Sequence, residues 1–250
     1  MTTKRNKNSS QSSHKIPAPL ASLPAALLPW YDREKRSLPW RDIVTPYRTW
    51  VSEIMLQQTR VQAVLPYFER FMAAAPDVPA LAELAEDRLL SLWQGLGYYS
   101  RARSLHRSAR VMVEQYGGCL PDTYTDLIQL PGIGDYTAGA ILSIAFGQAI
   151  PAVDGNVLRI AARLTACGDN VLDTRTRQHV RDALAAIMPI DRPGDFNQAM
   201  MDLGAAVCLP KNPICESCPA ASLCAARAAG LQSQLPVRAK NTAKPEKDLT

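Results

Sequence analysis

The chain has 250 residues and is 47% apolar, which is enough to bury a sizeable core as one large domain or two small ones. Its aromatic content is only 6%, whereas Ala, Leu and Arg are abundant, so the composition favours helices over sheets. The net charge of +5 comes from the two ends of the chain, because residues 21–226 carry 21 acidic and 19 basic side chains. This excludes a central region that is basic throughout and binds nucleic acid through its overall charge.

The two ends of the chain differ from its centre. Residues 1–19 are polar and basic, which predicts a disordered tail, and residues 227–250 have the composition of a linker or tail. The apolar stretch 20–30 is short and interrupted by prolines, so it predicts the first helix, with a secretory signal peptide as the alternative. No run of about 18 apolar residues occurs that would predict a membrane span.

From about residue 46 to 226, apolar residues recur with helical spacing, and no period-two alternation indicates a strand. The clearest helical segments are 50–61, 79–93, 100–116 and 176–188. Prolines such as Pro66 are expected where helices begin or end. In the third segment Arg103, Arg107 and Arg110 share one face, which predicts either contact with nucleic-acid phosphates or an ordinary solvated surface.

Residues 123–147 predict two helices joined by a tight turn, Leu-Pro-Gly-Ile-Gly, at 130–134. Gly132 and Gly134 permit backbone angles that other residues resist, and the unpaired N–H groups of the turn and of the next helix start can hold a phosphate oxygen. The alternative is a tight turn without a ligand. Small residues at 137–140 allow close helix packing, which makes the pattern more specific.

Four of the six cysteines fall within the short segment 208–224, and in a chain without a secretion signal this indicates metal or cluster ligation. They are Cys208, Cys215, Cys218 and Cys224. Zinc is the rival ligand, but four-cysteine zinc sites usually contain two Cys-x2-Cys pairs, and only one is present here. An iron–sulfur cluster tolerates the uneven spacing. The distant Cys119 and Cys167 are predicted to be buried apolar side chains.

Several separated motifs together resemble one known family. They are LPWR at 38–41, SEIMLQQTRV at 52–61, QGLGYYSRAR at 94–103, LPGIG at 130–134, AVDGNV at 152–157 and FNQAMMDLGAAVC at 196–208, followed by the remaining cysteines. In this order they resemble the adenine DNA glycosylases (the MutY family) of the helix-hairpin-helix superfamily. The resemblance covers about residues 25–226.

The resemblance implies an all-α fold of two helical lobes. Residues 38–148 would form a six-helix barrel with the helix-hairpin-helix, and residues 20–37 and 149–226 would form a lobe whose four cysteines hold a 4Fe-4S cluster. A monomer in the bacterial cytoplasm, at the nucleoid and not on a membrane, would bind double-stranded DNA containing a mispaired adenine. Family members usually continue into a mostly β domain that reads 8-oxoguanine; since this chain ends at Thr250, a preference for 8-oxoguanine over guanine does not follow.

The implied reaction is hydrolysis of the N-glycosidic bond of adenine opposite 8-oxoguanine or guanine, in base excision repair. Glu53, in an otherwise apolar helix, would protonate the adenine, and burial would raise its pKa. Asp154 would stabilise the positive sugar; its alternative role is a helix N-cap. Tyr136 and Asn156 would lie near the sugar. Related endonuclease III-like enzymes carry a Schiff-base lysine where this chain has Tyr136, so base removal without efficient strand cleavage is expected.

Further residues would contact bases and phosphates. The adenine pocket would be lined by Trp40, Arg41 and Gln198, and the wedge into the duplex would be Gln58 with Tyr98 or Tyr99. The DNA backbone would be contacted by Gly132, Gly134 and Lys211. For Trp40 and the tyrosines the alternative is a place in the core.

Two other functions remain open at the level of the sequence. One is a thymine or uracil mismatch glycosylase on the same scaffold, because such enzymes also carry tyrosine in the hairpin. The other is a non-catalytic iron–sulfur module that binds DNA. The SEIMLQQTRV segment and Gln198 favour adenine excision, and the pair Glu53 and Asp154 favours an enzyme.

Overall fold

The computed structural model describes residues 18–239, and within this range it contains helices and no strand. The α-helices are α1 (Ala18–Ala21), α2 (Leu23–Glu34), α3 (Pro39–Asp42), α4 (Pro46–Leu56), α5 (Val61–Ala74), α6 (Val78–Glu83), α7 (Glu86–Trp93), α8 (Tyr99–Tyr116), α9 (Tyr124–Leu127), α10 (Asp135–Phe146), α11 (Gly155–Leu164), α12 (Thr174–Ala185), α13 (Pro193–Ala206) and α14 (Ala225–Ala228). Two short 3-10 turns, Cys215–Ser217 and Ala221–Leu223, precede α14. The all-α prediction is confirmed. Most of the predicted N-terminal tail lies outside the described residues.

The first lobe is built by α3 to α10 around one hydrophobic core. Trp50, Phe68, Phe71 and Trp93 are completely buried there, and the rings of Phe71 and Trp93 meet edge-on at 6.0 Å. Helix α4 runs through this core, so that nearly all its side chains between residues 47 and 55 are buried. A polar side chain on α4 is therefore carried into the interior.

The second lobe joins the N-terminal helices to the C-terminal ones. Buried side chains of α1, α2, α11, α12 and α13 form its core, against which three of the four clustered cysteines pack. Helix α2 lies against α13, and Tyr31 and Phe196 are among the largest fully buried side chains. The two ends of the described chain are thus brought together in one lobe.

Helix α10 joins the lobes, because it packs on α4 of the first lobe and on α13 of the second. A Cβ atom at Gly194 would lie 2.8 Å from the Cα of Ile144, so only glycine allows this approach of α13 to α10. The buried Asn197 of α13 donates to the Ser143 hydroxyl at 2.7 Å and to the Ile150 carbonyl at 2.9 Å. These contacts fix the shape of the space between the lobes.

Two predicted helical segments are broken in the structure. The segment 50–61 divides at the turn 57–60 into α4 and α5, and 79–93 divides into α6 and α7. Conversely Pro66, expected at a helix end, lies inside α5. Its exposed position allows water to reach the carbonyl group that a proline leaves without an N–H donor.

The predictions for the two isolated cysteines are wrong. Cys119 is exposed and Cys167 is only half-buried, because each follows the end of a helix in a turn at the surface. The predicted linker also differs over residues 227–239, since Leu235 is buried and its carbonyl accepts from Arg163 at 3.0 Å. None of the described helices is both long and apolar enough to cross a membrane.

Candidate active site

A cavity of about 580 Å³ opens between the two lobes. Its walls come from the segment around α3, from α4 and α10 of the first lobe, and from the start of α11 and the middle of α13 in the second. Seven of the ten residues predicted for catalysis or base contact line it: Trp40, Arg41, Glu53, Tyr136, Asp154, Asn156 and Gln198. The fold therefore brings together positions from near both ends of the described chain.

Glu53 presents an acid to this cavity from the buried helix α4. Its side chain is only 6% exposed, and burial raises its pKa from 4.5 to about 7. A hydrogen bond from Tyr136 and the positive charge of Arg41 oppose this rise, whereas the nearby Asp154 adds to it. At neutral pH a substantial fraction of Glu53 is protonated, which is the state that a general acid requires.

Tyr136 lies in the first turn of α10, opposite Glu53. Its hydroxyl donates to the Met201 sulfur at 3.6 Å and is within hydrogen-bonding reach of the Glu53 carboxyl group, whose pKa it lowers. Burial and the negative charge of Glu53 hold the tyrosine pKa well above its usual 10. Tyr136 therefore stays a neutral hydrogen-bond donor and orients the acid.

Asp154 is the N-cap of α11, as its alternative role predicted. One carboxylate oxygen accepts from the backbone N–H groups of Asn156 and Val157, both at 2.8 Å. The other oxygen accepts from the Asn156 side chain at 2.7 Å. Three donors thus fix the carboxylate at the cavity wall, so the capping role positions the charge and does not compete with a catalytic one.

Arg159 connects this corner of the cavity to the cysteine loop. Its guanidinium donates to the Asn156 side-chain oxygen at 3.0 Å and to the Gly204 carbonyl at 2.9 Å, and its Nε donates to the Cys208 carbonyl at 2.8 Å. The side chain is 3% exposed. The orientation of Asn156 therefore depends on the backbone at Cys208.

An ion-pair network missed in the sequence holds Arg41 at the cavity. The buried Asp202 accepts from both terminal nitrogens of Arg41, at 2.7 and 3.1 Å, and also pairs with Arg36. The Tyr31 ring lies 5.8 Å from the Arg41 guanidinium, and burial raises the pKa of Tyr31 to about 12. Asp202 stands one helical turn after Gln198, so a charged residue on the same face of an apolar helix was the available signal.

Trp40 and Gln198 complete the pocket wall. Trp40 is 5% exposed and meets the Phe68 ring edge-on at 5.1 Å, so it is a core residue with an edge in the cavity. Gln198 is 8% exposed and presents an amide to the same space. Trp40 therefore lies in the core, its alternative place, and also lines the cavity.

The predicted wedge residues lie at the surface and outside the cavity lining. Gln58 and Tyr98 are exposed and have positive φ angles of 58° and 51°, a strained conformation for such side chains. Tyr99 is 40% exposed. The buried Arg101 joins the two turns, because it donates to the Gln57 carbonyl at 2.6 Å and to the Gly97 carbonyl at 3.1 Å.

The same arginine ends helix α4. Arg101 also donates to the carbonyls of Ile54 and Met55, at 3.0 and 2.8 Å, and its guanidinium lies 5.4 Å from the Tyr98 ring. These bonds satisfy carbonyl groups that a helix end leaves open. They explain why the predicted segment 50–61 breaks after Leu56.

The hairpin between α9 and α10 has the predicted geometry. Gly132 has a φ of 82°, and a Cβ there would lie 2.9 Å from the Cβ of Ser104 on α8. Gly134 is exposed, caps α10, and has no atom within 4 Å of the position of a Cβ. The hairpin backbone is therefore open to a ligand. Lys211 is also exposed, in the loop between Cys208 and Cys215.

The predicted arginine face is exposed, although two of its members already have partners. Arg103 forms an ion pair with Glu86 at 2.8 Å, and Arg107 donates to the Ser104 hydroxyl at 3.3 Å. Arg110 makes only a long contact, 3.4 Å, with the Ala82 carbonyl. The solvated-surface interpretation accounts for these contacts.

The four clustered cysteines lie together beside the second core, half-buried and without a disulfide. Burial and the other three thiols raise the pKa of Cys218 to about 11. Arg163, almost completely buried, donates to the Cys208 sulfur at 3.3 Å. Within residues 18–239 no three His, Cys, Asp or Glu side chains are arranged to hold a single metal ion.

The chain is similar in sequence to known DNA repair proteins. Residues 51–186 match the model of the HhH-GPD superfamily base excision DNA repair protein. An adenine DNA glycosylase from Mus musculus is 48% identical over 209 residues, which are 80% of this chain but 41% of that protein. The chain thus spans about two fifths of the length of this relative.

Solved structures share the fold. A thermostable thymine-DNA glycosylase superposes with a TM-score of 0.75 at 25% identity, covering 84% of this chain and 97% of that one. Endonuclease III from a non-covalent DNA complex gives a TM-score of 0.70 at 23% identity, covering 85% and 98%. With the family match over more than half of its length, this chain belongs to the HhH-GPD superfamily of base excision DNA repair proteins.

Proposed function

We propose that this chain is a monofunctional DNA glycosylase that excises adenine from a mispair in duplex DNA. The observation that carries the proposal is that Glu53 and Asp154 face one cavity, with the pKa of Glu53 raised to about 7. The relative named adenine DNA glycosylase supports adenine as the base. Excision requires the nucleotide to leave the stacked duplex and enter the cavity.

The first step is protonation of the leaving base. Glu53 donates its proton to a ring nitrogen of adenine, which makes the base a better leaving group as the glycosidic bond breaks. Tyr136 donates to the carboxylate that remains. Arg41 and Gln198 offer hydrogen bonds to the edge of the base, and Asp202 keeps Arg41 in place.

The second step is stabilisation of the sugar. Bond breaking leaves positive charge on the sugar. The negative carboxylate of Asp154, held in a fixed position, stabilises that charge. A water molecule then supplies hydroxide to the sugar carbon and releases a proton, so the products are free adenine and an abasic site. Tyr136 has no amine for a Schiff base, so the strand stays intact.

The Arg101 network supports a wedge made by Gln58 and Tyr98. Both side chains project from strained turns that one buried arginine connects. Inserted into the duplex, they would occupy the space that the extruded adenine leaves. In the free protein Arg101 already holds both turns in their strained conformation, so the two side chains are positioned for insertion before DNA binds.

Replacement of Arg101 by Lys is expected to lower adenine excision from an A·G mispair by about tenfold or more, since lysine cannot bridge both turns. Excision of adenine opposite an abasic site should change by less than about threefold, because that adenine is unpaired and easier to extrude. Single-turnover rates on the two duplexes measure this. An equal loss on both would show a general structural defect and contradict the wedge.

We also propose that Cys208, Cys215, Cys218 and Cys224 hold a 4Fe-4S cluster. The four thiols lie together, half-buried, beside the second core, and a cluster would place each thiolate on a separate iron. Such a cluster would fix the loop that carries Lys211, and the reaction needs no electron transfer from it.

The purified protein is expected to contain about four irons per chain and to show the yellow-brown colour of iron–thiolate centres. Metal analysis with an absorption spectrum measures both. Replacement of Cys218 by Ala should lower the iron content and the melting temperature together, whereas the same change at Cys119, an exposed cysteine in the first lobe, should alter neither. One zinc per chain and no colour would contradict the cluster.

A panel of duplexes tests the proposed function. The expected result is release of adenine from A·8-oxoguanine and A·G pairs, with no release of thymine from T·G and no strand cut before alkali treatment. The structural likeness to a thymine-DNA glycosylase makes thymine the second candidate. Preferred release of thymine would make the chain a thymine glycosylase and contradict adenine as the excised base. DNA binding without release of any base would favour the non-catalytic module.

A further inference from the structure

A second cavity, of about 530 Å³, shares Asp154 and Tyr136 with the first. It lies between the starts of α10 and α11, helix α12 and the C-terminal segment 235–239. Three arginines from two separate parts of the chain line it: Arg177 and Arg181 on α12, and Arg238 in the C-terminal segment. None of these side chains takes part in the proposed excision of adenine.

The carboxylates of this cavity are already occupied. Asp135 pairs with Arg181 at 2.5 Å, and Asp154 holds its three N–H donors. In contrast, neither Arg177 nor Arg238 takes part in an ion pair with any residue of the described chain. The Nε of Arg177 donates to the Val171 carbonyl at 3.2 Å, so its terminal nitrogens and the guanidinium of Arg238 are the groups without a carboxylate partner, and they make the cavity a place for an anion.

The C-terminal segment is held in position, so Arg238 faces the cavity on a fixed backbone. The Val171 N–H donates to the Val237 carbonyl at 3.1 Å, and the Asn170 side chain donates to the Ala239 carbonyl at 3.0 Å. Gly155 forms part of the floor, and a Cβ there would lie 3.5 Å from an Arg238 nitrogen. The absence of a side chain at Gly155 leaves room beside the guanidinium.

We infer that this cavity binds a backbone phosphate of the DNA strand next to the nucleotide that is excised. The inference rests on the proposed function, because it takes the reacting sugar to lie at Asp154. In a DNA strand, a phosphate lies on each side of every sugar. Asp154 also lines the second cavity, so a phosphate next to the reacting sugar would lie at that cavity. The planar guanidinium of arginine matches the oxygens of a phosphate.

The test measures binding and not excision, so its outcome does not depend on the base that is removed. The ligand is a duplex with a stable abasic analogue opposite guanine. Replacement of Arg177 and Arg238 by Ala should raise Kd about tenfold and reduce the slope of log K against log salt by about 0.9 for each phosphate that is no longer neutralised. The variant Arg175→Ala removes an exposed charge of α12 that faces a different cavity, and it should change neither quantity.

Neutral methylphosphonate linkages then locate the phosphate. Placed one at a time around the abasic analogue, one flanking linkage should weaken binding by the wild-type protein about tenfold and have no further effect on the double variant. Melting temperatures identify any loss of fold. The inference is overturned if the double variant binds with the wild-type salt slope, or if every linkage affects both proteins equally.

Discussion

The substitution Asp154→Asn is expected to lower the rate of adenine excision by about 1,000-fold, because it removes the negative charge that faces the developing positive sugar. Binding of the mispaired duplex should stay within about threefold of the wild-type value. Single-turnover excision and equilibrium binding to the same A·G duplex measure the two effects. Excision that survives the change would contradict the role of Asp154.

The neutral residue is chosen to preserve the fold. Asparagine caps helices as well as aspartate does, so its oxygen can still accept from the N–H groups of Asn156 and Val157, although its amide nitrogen cannot accept from the Asn156 side chain. The control Asp154→Ala removes both charge and cap, and should cost about 1 kcal/mol of stability in addition. If the alanine variant alone were inactive, Asp154 would be a structural cap and not an electrostatic partner of the sugar.

The substitution Glu53→Gln is expected to lower excision by about 100- to 10,000-fold, because the amide has no acidic proton to give to adenine. Its shape and hydrogen bond with Tyr136 are preserved, so affinity for the duplex should be nearly unchanged. The same single-turnover assay measures the loss. A variant that retained more than about a tenth of the wild-type rate would show that the proton comes from elsewhere.

The same variant should be more stable than the wild-type protein above pH 7. The folded pKa of Glu53 is raised from 4.5 to about 7, so the folded state holds a proton that the unfolded state releases. This stabilisation is present below pH 4.5 and is lost as the pH rises to 7. Glutamine has no proton to lose, and denaturant unfolding at pH 8 should show a gain of about 1–3 kcal/mol. A loss of stability would contradict the buried, raised-pKa state.

Most of the fold could be predicted from the sequence, because the spacing of apolar residues that indicates a helix involves only residues near one another in the chain. The break at residues 57–60 was not predictable, since α4 ends where Arg101, which belongs to the later helix α8, caps its carbonyl groups. The exposure of Cys119 was missed for a related reason: average burial of a residue type says nothing about a turn that follows a particular helix.

The candidate site, like the fold, could be predicted only in part from the sequence. Glu53 could be found because an acid in an apolar helix predicts burial and a raised pKa, and the structure has both. Asp202 and Arg36 were missed because their network joins α13 to the segment before α3, from opposite ends of the described chain. Arg238 was assigned to a linker, since only the folded chain returns that segment to α12.

Proton donation by Glu53 can be tested by the pH dependence of the single-turnover rate, with enzyme in excess over an A·G duplex between pH 5.5 and 9. We expect a constant rate at low pH and a fall of about tenfold per pH unit once Glu53, with its pKa of about 7, loses its proton. Residual activity of Glu53→Gln should lack this fall. A wild-type rate that stays level from pH 6 to 9, or a variant that shows the same fall, would contradict proton donation by Glu53.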